Sequence, residues 1–179
     1  KSKKGLFALA SLLVVLISLF LVSSRKSLPA SRPGEEAEIL AARVEARVGK
    51  DGWDQLAAIS FYFVPGGRAH FADSKRGFVE VAFAQSSNQF LVQYARDGRG
   101  VVYKNRKRLE GQEASDAIQQ AVKFHINDMY WLNPFVQMRS PGAVRKITED
   151  GDLMVHYPEG GITPGDTYVI HTGTDGLPD

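Results

Sequence analysis

LAAISFYFVPGGRAHFADSKRGFVEVAFAQSSNQFLVQYARDGRGVVYKNR, residues 56–106, is the stretch on which the fold turns. Short runs rich in β-branched and aromatic residues recur, and turn-forming residues separate them about every ten positions. Leu56–Val64 runs into Pro65-Gly66-Gly67, and Arg68–Ala72 reads as a short return strand. Gly77–Ala84 reaches Gln85-Ser86-Ser87-Asn88, and the next run gives way at Asp97-Gly98 to Val101–Arg106. The spacing predicts an antiparallel meander. Alternation puts Phe90, Val92 and Tyr94 on one face and Gln89 and Gln93 on the other. Leu56–Val64 is apolar on both faces, with Ile59, Phe61 and Phe63 opposed to Leu56, Tyr62 and Val64. Such a strand is expected to be covered on both sides or to face a cavity on one.

Helix signals flank the meander. Glu35–Val48 (EEAEILAARVEARV) has acids in its first turn, arginines near its end and Gly49 as a C-cap. Its expected apolar face is Ile39, Leu40, Val44 and Val48, with Ala37 and Ala41 beside them. Glu113–Trp131 predicts a second helix, striped by Ala114, Ala117, Ile118, Ala121, Val122, Phe124 and Ile126 and ended by Pro134. Strand signals resume at Ala143–Thr148, Leu153–Tyr157 and Thr167–Thr172. The chain stops where a further strand is expected, so the domain is expected to continue beyond Asp179.

Upstream, Gly5–Ser24 reads GLFALASLLVVLISLFLVSS, without a charge. About 20 apolar residues match the thickness of a bilayer core, and this run exceeds the roughly 7–15 of a signal-peptide core. A cleaved signal peptide is the alternative. The expected organisation is a transmembrane anchor over residues 1–26, a linker over 27–34 and one extracytoplasmic domain over 35–179. Leu9, Leu12, Leu13, Leu16 and Phe20 would form the contact face of the anchor. Lys1, Lys3 and Lys4 before the run favour a cytoplasmic N-terminus. The expected location is the bacterial inner membrane, with the domain in the periplasm.

Five of the 22 basic residues lie in residues 1–26, which hold no acid, so the remainder carries 17 basic against 20 acidic residues, a net charge of −3. That balance argues against a nucleic-acid partner. The absence of cysteine excludes disulfides and thiolate metal sites.

Four histidines, His70, His125, His156 and His171, occur without HExxH or HxH spacing, so no metal is expected. His125 and Asp128 could share a helix face and act in acid–base chemistry, but no GxSxG nucleophile motif accompanies them. They read more simply as polar residues satisfying a helix end. The loop Gly160–Asp166 lacks the GK[ST] ending of a phosphate loop and leads into a strand. No cofactor and no catalysis are expected. The run Lys104, Arg106, Lys107 and Arg108 is a candidate for docking on anionic headgroups or an acidic partner.

The element order, with Trp131-Leu132-Asn133-Pro134-Phe135 and Thr163-Pro164-Gly165-Asp166-Thr167-Tyr168, resembles the LolA/LolB-like superfamily of periplasmic lipoprotein carriers over Glu35–Asp179. The resemblance implies an α+β fold: a curved antiparallel sheet, or half-barrel, with helices on its concave side and an apolar cavity between. Phe61, Phe63, Val81, Phe83, Phe90, Val92, Tyr94 and Trp131 are the candidate cavity residues. The family's activity is the carriage of lipoprotein acyl chains. A retained anchor departs from a soluble shuttle, and the receptor's lipidated cysteine is missing. The expected function is therefore a non-catalytic accessory subunit of an integral membrane complex, such as a photosynthetic or respiratory assembly. The alternative is a tethered binder of lipids or acyl chains.

Overall fold

The computed structural model describes residues 28–159, 161–173 and 176–178. The meander forms as the turn spacing requires. Strands β2 (Ala58–Phe63), β3 (Arg68–Asp73), β4 (Phe78–Gln85), β5 (Asn88–Ala95), β6 (Gly100–Lys104) and β7 (Lys107–Leu109) follow one another in a six-stranded antiparallel sheet. The register aligns one inner row, Phe61–His70–Val81–Val92–Val102–Leu109. Helix α3 (Gly111–Leu132) covers that face. Ala117 and Ala121 face Val81, Phe83, Phe90, Val92, Tyr94 and Val102, and their small side chains let the backbone come close. Burial of each such valine is worth about 1.5–3 kcal/mol. Pro134 supplies no N–H to continue α3, and a 3-10 turn follows at Pro134–Gln137.

A second sheet has the order β1-β8-β9-β10, with β1 at Ser31–Arg32, β8 at Val144–Thr148, β9 at Leu153–Tyr157 and β10 at Asp166–Ile170. Helix α1 (Glu35–Arg47) packs on it, and a five-residue helix, α2 (Lys50–Asp54), follows. The buried stripe of α1 is Ala37, Ala41 and Val44 against Ile147, Leu153, Val155 and Met138. Ile39, expected on that stripe, is 51% exposed. The alanines win the inner face because they allow close contact with the sheet. Glu45 is buried on the same helix and accepts from Arg139 Nε at 2.6 Å and the Arg139 backbone N–H at 3.0 Å. Arg145 Nε ties α1 to β8 by donating to both carboxylate oxygens of Glu38, at 2.7 and 2.8 Å.

Three expectations are corrected. The fold is mixed helix and sheet, but it is not one half-barrel with helices gathered on its concave side. Among the described residues there are two open sheets, each packed against its own long helix. The division falls at α3: after β7 the chain crosses the meander and starts a separate sheet, whose far edge is β1. The expected membrane-spanning helix, and with it the single-pass membrane placement, finds no support. Among the described residues no helix is long and apolar enough to cross a membrane. The longest, α3, has 22 residues but carries Glu113, Asp116, Lys123 and Asp128. Gly5–Ser24, with Leu9, Leu12, Leu13, Leu16 and Phe20, lies outside the described residues. The doubly apolar strand also differs from expectation. The outward side chains of Tyr62 and Val64 are 62% and 76% exposed.

Candidate functional site

The last two turns of α3 bring together two features that are far apart in sequence. The first is a buried polar network. Alternation along β3 aims Arg68, His70 and Ala72 at α3. Asp128, fully buried, meets them. Arg68 donates twice, Nε to Oδ2 at 2.6 Å and Nη2 to Oδ1 at 2.8 Å. His70 Nε2 is 2.8 Å from Oδ2, and Asn127 Nδ2 donates to Oδ1 at 2.9 Å. The carboxylate can only accept, so His70 carries its proton on Nε2. His70 Nδ1 then accepts a long contact of 3.4 Å from His125 Nδ1. Phe61 stacks on His70 with centroids 4.6 Å apart. The Arg68 guanidinium lies 4.3 Å from the Phe124 ring centroid and 5.2 Å from that of Phe63, within cation–π range.

Burial pushes the Asp128 carboxyl up, but the hydrogen bonds from Arg68, Asn127 and His70 outweigh it and hold the carboxyl below its ordinary range. Burial lowers His70, with Asp128 opposing. Burial and the neighbouring His70 push His125 down to about 4. Both imidazoles are therefore neutral at pH 7. An imidazole with so low a pKa is a poor general base there. Neither is hydrogen-bonded to a hydroxyl among the described residues, and no group of three metal-ligating side chains occurs among them.

Gly66 makes room for this network. A Cβ there would sit 2.1 Å from Arg68 Cζ. The guanidinium cannot swing aside freely, because Asp128 and two rings hold it. Gly66→Ala is expected to cost about 1–3 kcal/mol, the range for overpacking a close contact. The same substitution in an Arg68→Ala background should cost much less, and chemical denaturation of the four proteins checks it. Equal costs in both backgrounds would show that Arg68 is not what Gly66 accommodates.

The second feature is an aromatic cleft on the other side of α3. Tyr130 and Trp131 pack against Tyr157 of β9 and Tyr168 of β10. Their ring centroids are 5.3–6.2 Å apart and most of the planes are close to perpendicular. On one side of these rings lies a cleft of about 240 Å³, continued by Ile126, Asn127, Glu159, Ile162 and Asp166. On the other lies an apolar recess of about 200 Å³, reaching Phe135, Met138, Val155 and Ile170. Asn127 belongs to both features, bonding Asp128 and lining the cleft. The Tyr168 hydroxyl donates to Asp166 Oδ2 at 2.9 Å, and the Thr163 hydroxyl donates to the same oxygen. Burial and then Asp166 push Tyr168 up to about 12. Burial, with Tyr157, Tyr168 and Asp166 adding to it, also raises Tyr130. These tyrosines stay protonated at neutral pH and act as walls and hydrogen-bonding groups.

The candidate cavity residues do not share one cavity lining. Val81, Phe83, Phe90, Val92 and Tyr94 pack into the core beneath α3. Phe61 and Phe63 border the polar network, and Trp131 alone lies in the aromatic cleft. Lys104, Arg106, Lys107 and Arg108 sit on the β6–β7 hairpin, whose turn has positive φ at Asn105 and Arg106. Lys104 pairs with Glu113 at 2.7 Å, and Arg108 lies 4.0 Å from Glu110. His156 bonds Thr167 at 2.9 Å and His171 pairs with Asp152 at 2.8 Å, each an ordinary surface contact. Sequence reasoning missed Tyr130, Tyr157 and Tyr168 as site residues. The one signal for the two strand tyrosines was register, since Tyr168 pairs with Val155 and thereby shares a face with Tyr157.

No family model, curated protein or solved structure matches this chain.

Proposed function

We propose that this chain is a non-catalytic binding module whose site is the cleft walled by Tyr130, Trp131, Tyr157 and Tyr168. The observation that carries this reading is a four-ring cluster open to a cleft on one side and an apolar recess on the other. Binding sites are concave, mostly apolar and equipped with a few convergent polar groups, and this region has that composition. Both volumes fall below the roughly 300–1,000 Å³ of sites for drug-sized ligands, so the ligand is slender: a single hydrocarbon chain or a small ring with a polar end. The polar network braces the helix end that carries Tyr130 and Trp131.

Trp131 reports on its own site. The chain has two tryptophans, so Trp53→Phe leaves one emitter. Titration with single-chain amphiphiles below their micelle concentration should shift Trp131 emission saturably. Tyr168→Ala should weaken binding at least tenfold, about 1.4 kcal/mol. Emission that stays fixed with every neutral, anionic and cationic amphiphile would sink the reading.

A second reading, an accessory subunit that braces partner proteins, draws on a different surface. Tyr62 on β2 and Val64 just after it are exposed, and β2 is an edge strand with one side unpaired among the described residues. Edges of that kind invite pairing. A photo-cross-linking residue at position 62 should trap a partner in living cells, and a clean monomer under those conditions would count against it.

A further inference from the structure

We infer that the ligand of the aromatic cleft is an organic cation, a protonated or quaternary amine on a hydrocarbon chain. This rests on the binding reading above and adds the sign of the charge. The fourteen residues lining the cleft include Glu159 and Asp166 but no lysine, arginine or histidine. Neither carboxylate has an ion-pair partner among the described residues, whereas Glu38, Glu45, Glu113 and Asp128 on the two long helices each have one. Asp166 is held in place by the hydroxyls of Tyr168 and Thr163. It is an oriented negative charge that nothing in the described chain neutralises.

Two further observations point the same way. The cleft borders the C-terminal end of α3, a helix of 22 residues with no basic residue in its last turn. The free carbonyls of such an end carry partial negative charge and favour a cation nearby. The walls are tyrosine and tryptophan, whose electron-rich faces attract ammonium groups, most strongly where water is excluded. An anionic head would meet two carboxylates and a helix C-terminus with no counter-charge. The hydrocarbon part has its own surface: Ile126, Trp131 and Ile162 are all exposed, and all three line this cleft. Exposed apolar groups gathered at one opening are the expected rest for a tail.

The test compares three probes with ten-carbon chains, decyltrimethylammonium, decanoate and decyl maltoside, all below micelle formation. The protein is the full chain with Trp53→Phe, read by Trp131 emission. Decyltrimethylammonium should bind at least tenfold more tightly than decanoate. Glu159→Gln, at a side chain with no ion pair among the described residues, should shrink that ratio. Asp166→Asn in addition should bring it close to one. Decanoate binding as tightly as the cation, or a ratio unmoved in the double variant, would overturn the inference. Decyl maltoside matching the cation would overturn the charge assignment and leave the cleft as a binding site. No response to any of the three would remove the cleft reading and this inference with it.

Discussion

Asp128→Ala is expected to lower the free energy of unfolding by about 3–5 kcal/mol, the cost of breaking a buried pair from one side. The carboxylate is fully buried and accepts four hydrogen bonds, two from Arg68 and one each from His70 and Asn127. Its removal leaves a guanidinium only 14% exposed with no counter-charge, and a fully buried imidazole with no acceptor. A domain is stable by about 5–15 kcal/mol in all, so the loss is a large share. Denaturant titration should show a lower midpoint at an unchanged slope. The triple variant Arg68→Met, His70→Leu, Asp128→Leu should recover most of the loss, because it removes every charge together. A loss of about 1 kcal/mol or less in the single variant, the size expected of an exposed pair, would mean that solvent reaches the network.

Acidification should destabilise the fold well above the range in which carboxylates protonate. His125 titrates near 6.5 when unfolded and at about 4 when folded. Between those values the unfolded chain binds more protons, so stability rises with pH across the window and is lost as pH falls. At about 1.4 kcal/mol per unit the loss approaches 3 kcal/mol. His70, also lowered, acts in the same direction. Arg68 opposes protonation of His70, whereas Asp128 favours it. Asp128 itself is held below 3.8, so its contribution disappears only at lower pH and does not mask the window. Thermal melts from about pH 7 to about 4.5 should show the decline, and His125→Gln should flatten much of it. A parent whose stability stays level across that range would refute the assignment of two neutral imidazoles, one buried and one half-buried.

The meander was legible because each of its turns is local. Pro65-Gly66-Gly67, Ser86-Ser87 and Asp97-Gly98 lie between observed strands. Both long helices were also legible, to within one or two residues at most ends. The second sheet was not, because no local pattern states that Ser31 pairs with Thr148. His125 and Asp128 read as a polar helix end. Their partners Arg68 and His70 lie 60 and 58 residues away from Asp128, and only the shared parity along β3 hinted that they face inward. The aromatic cleft was visible as one residue of four. Trp131 stood out by type, whereas Tyr157 and Tyr168 acquire meaning only when β9 and β10 pair.

The division into two helix-on-sheet layers orders events on the ribosome. Every strand of the meander pairs with its neighbour in sequence, so that layer can close as soon as α3 emerges. Helix α1 is made first, yet its partners come last: Glu38 and Arg145 are 107 residues apart. At about 5–20 residues per second, the apolar side of α1 waits about 5–20 s for its sheet. During that interval its apolar residues have no sheet to pack against, and a helix of 13 residues is marginal alone in water. The three acids of its first turn put charge beside that unpartnered face for as long as β8 and β9 are missing.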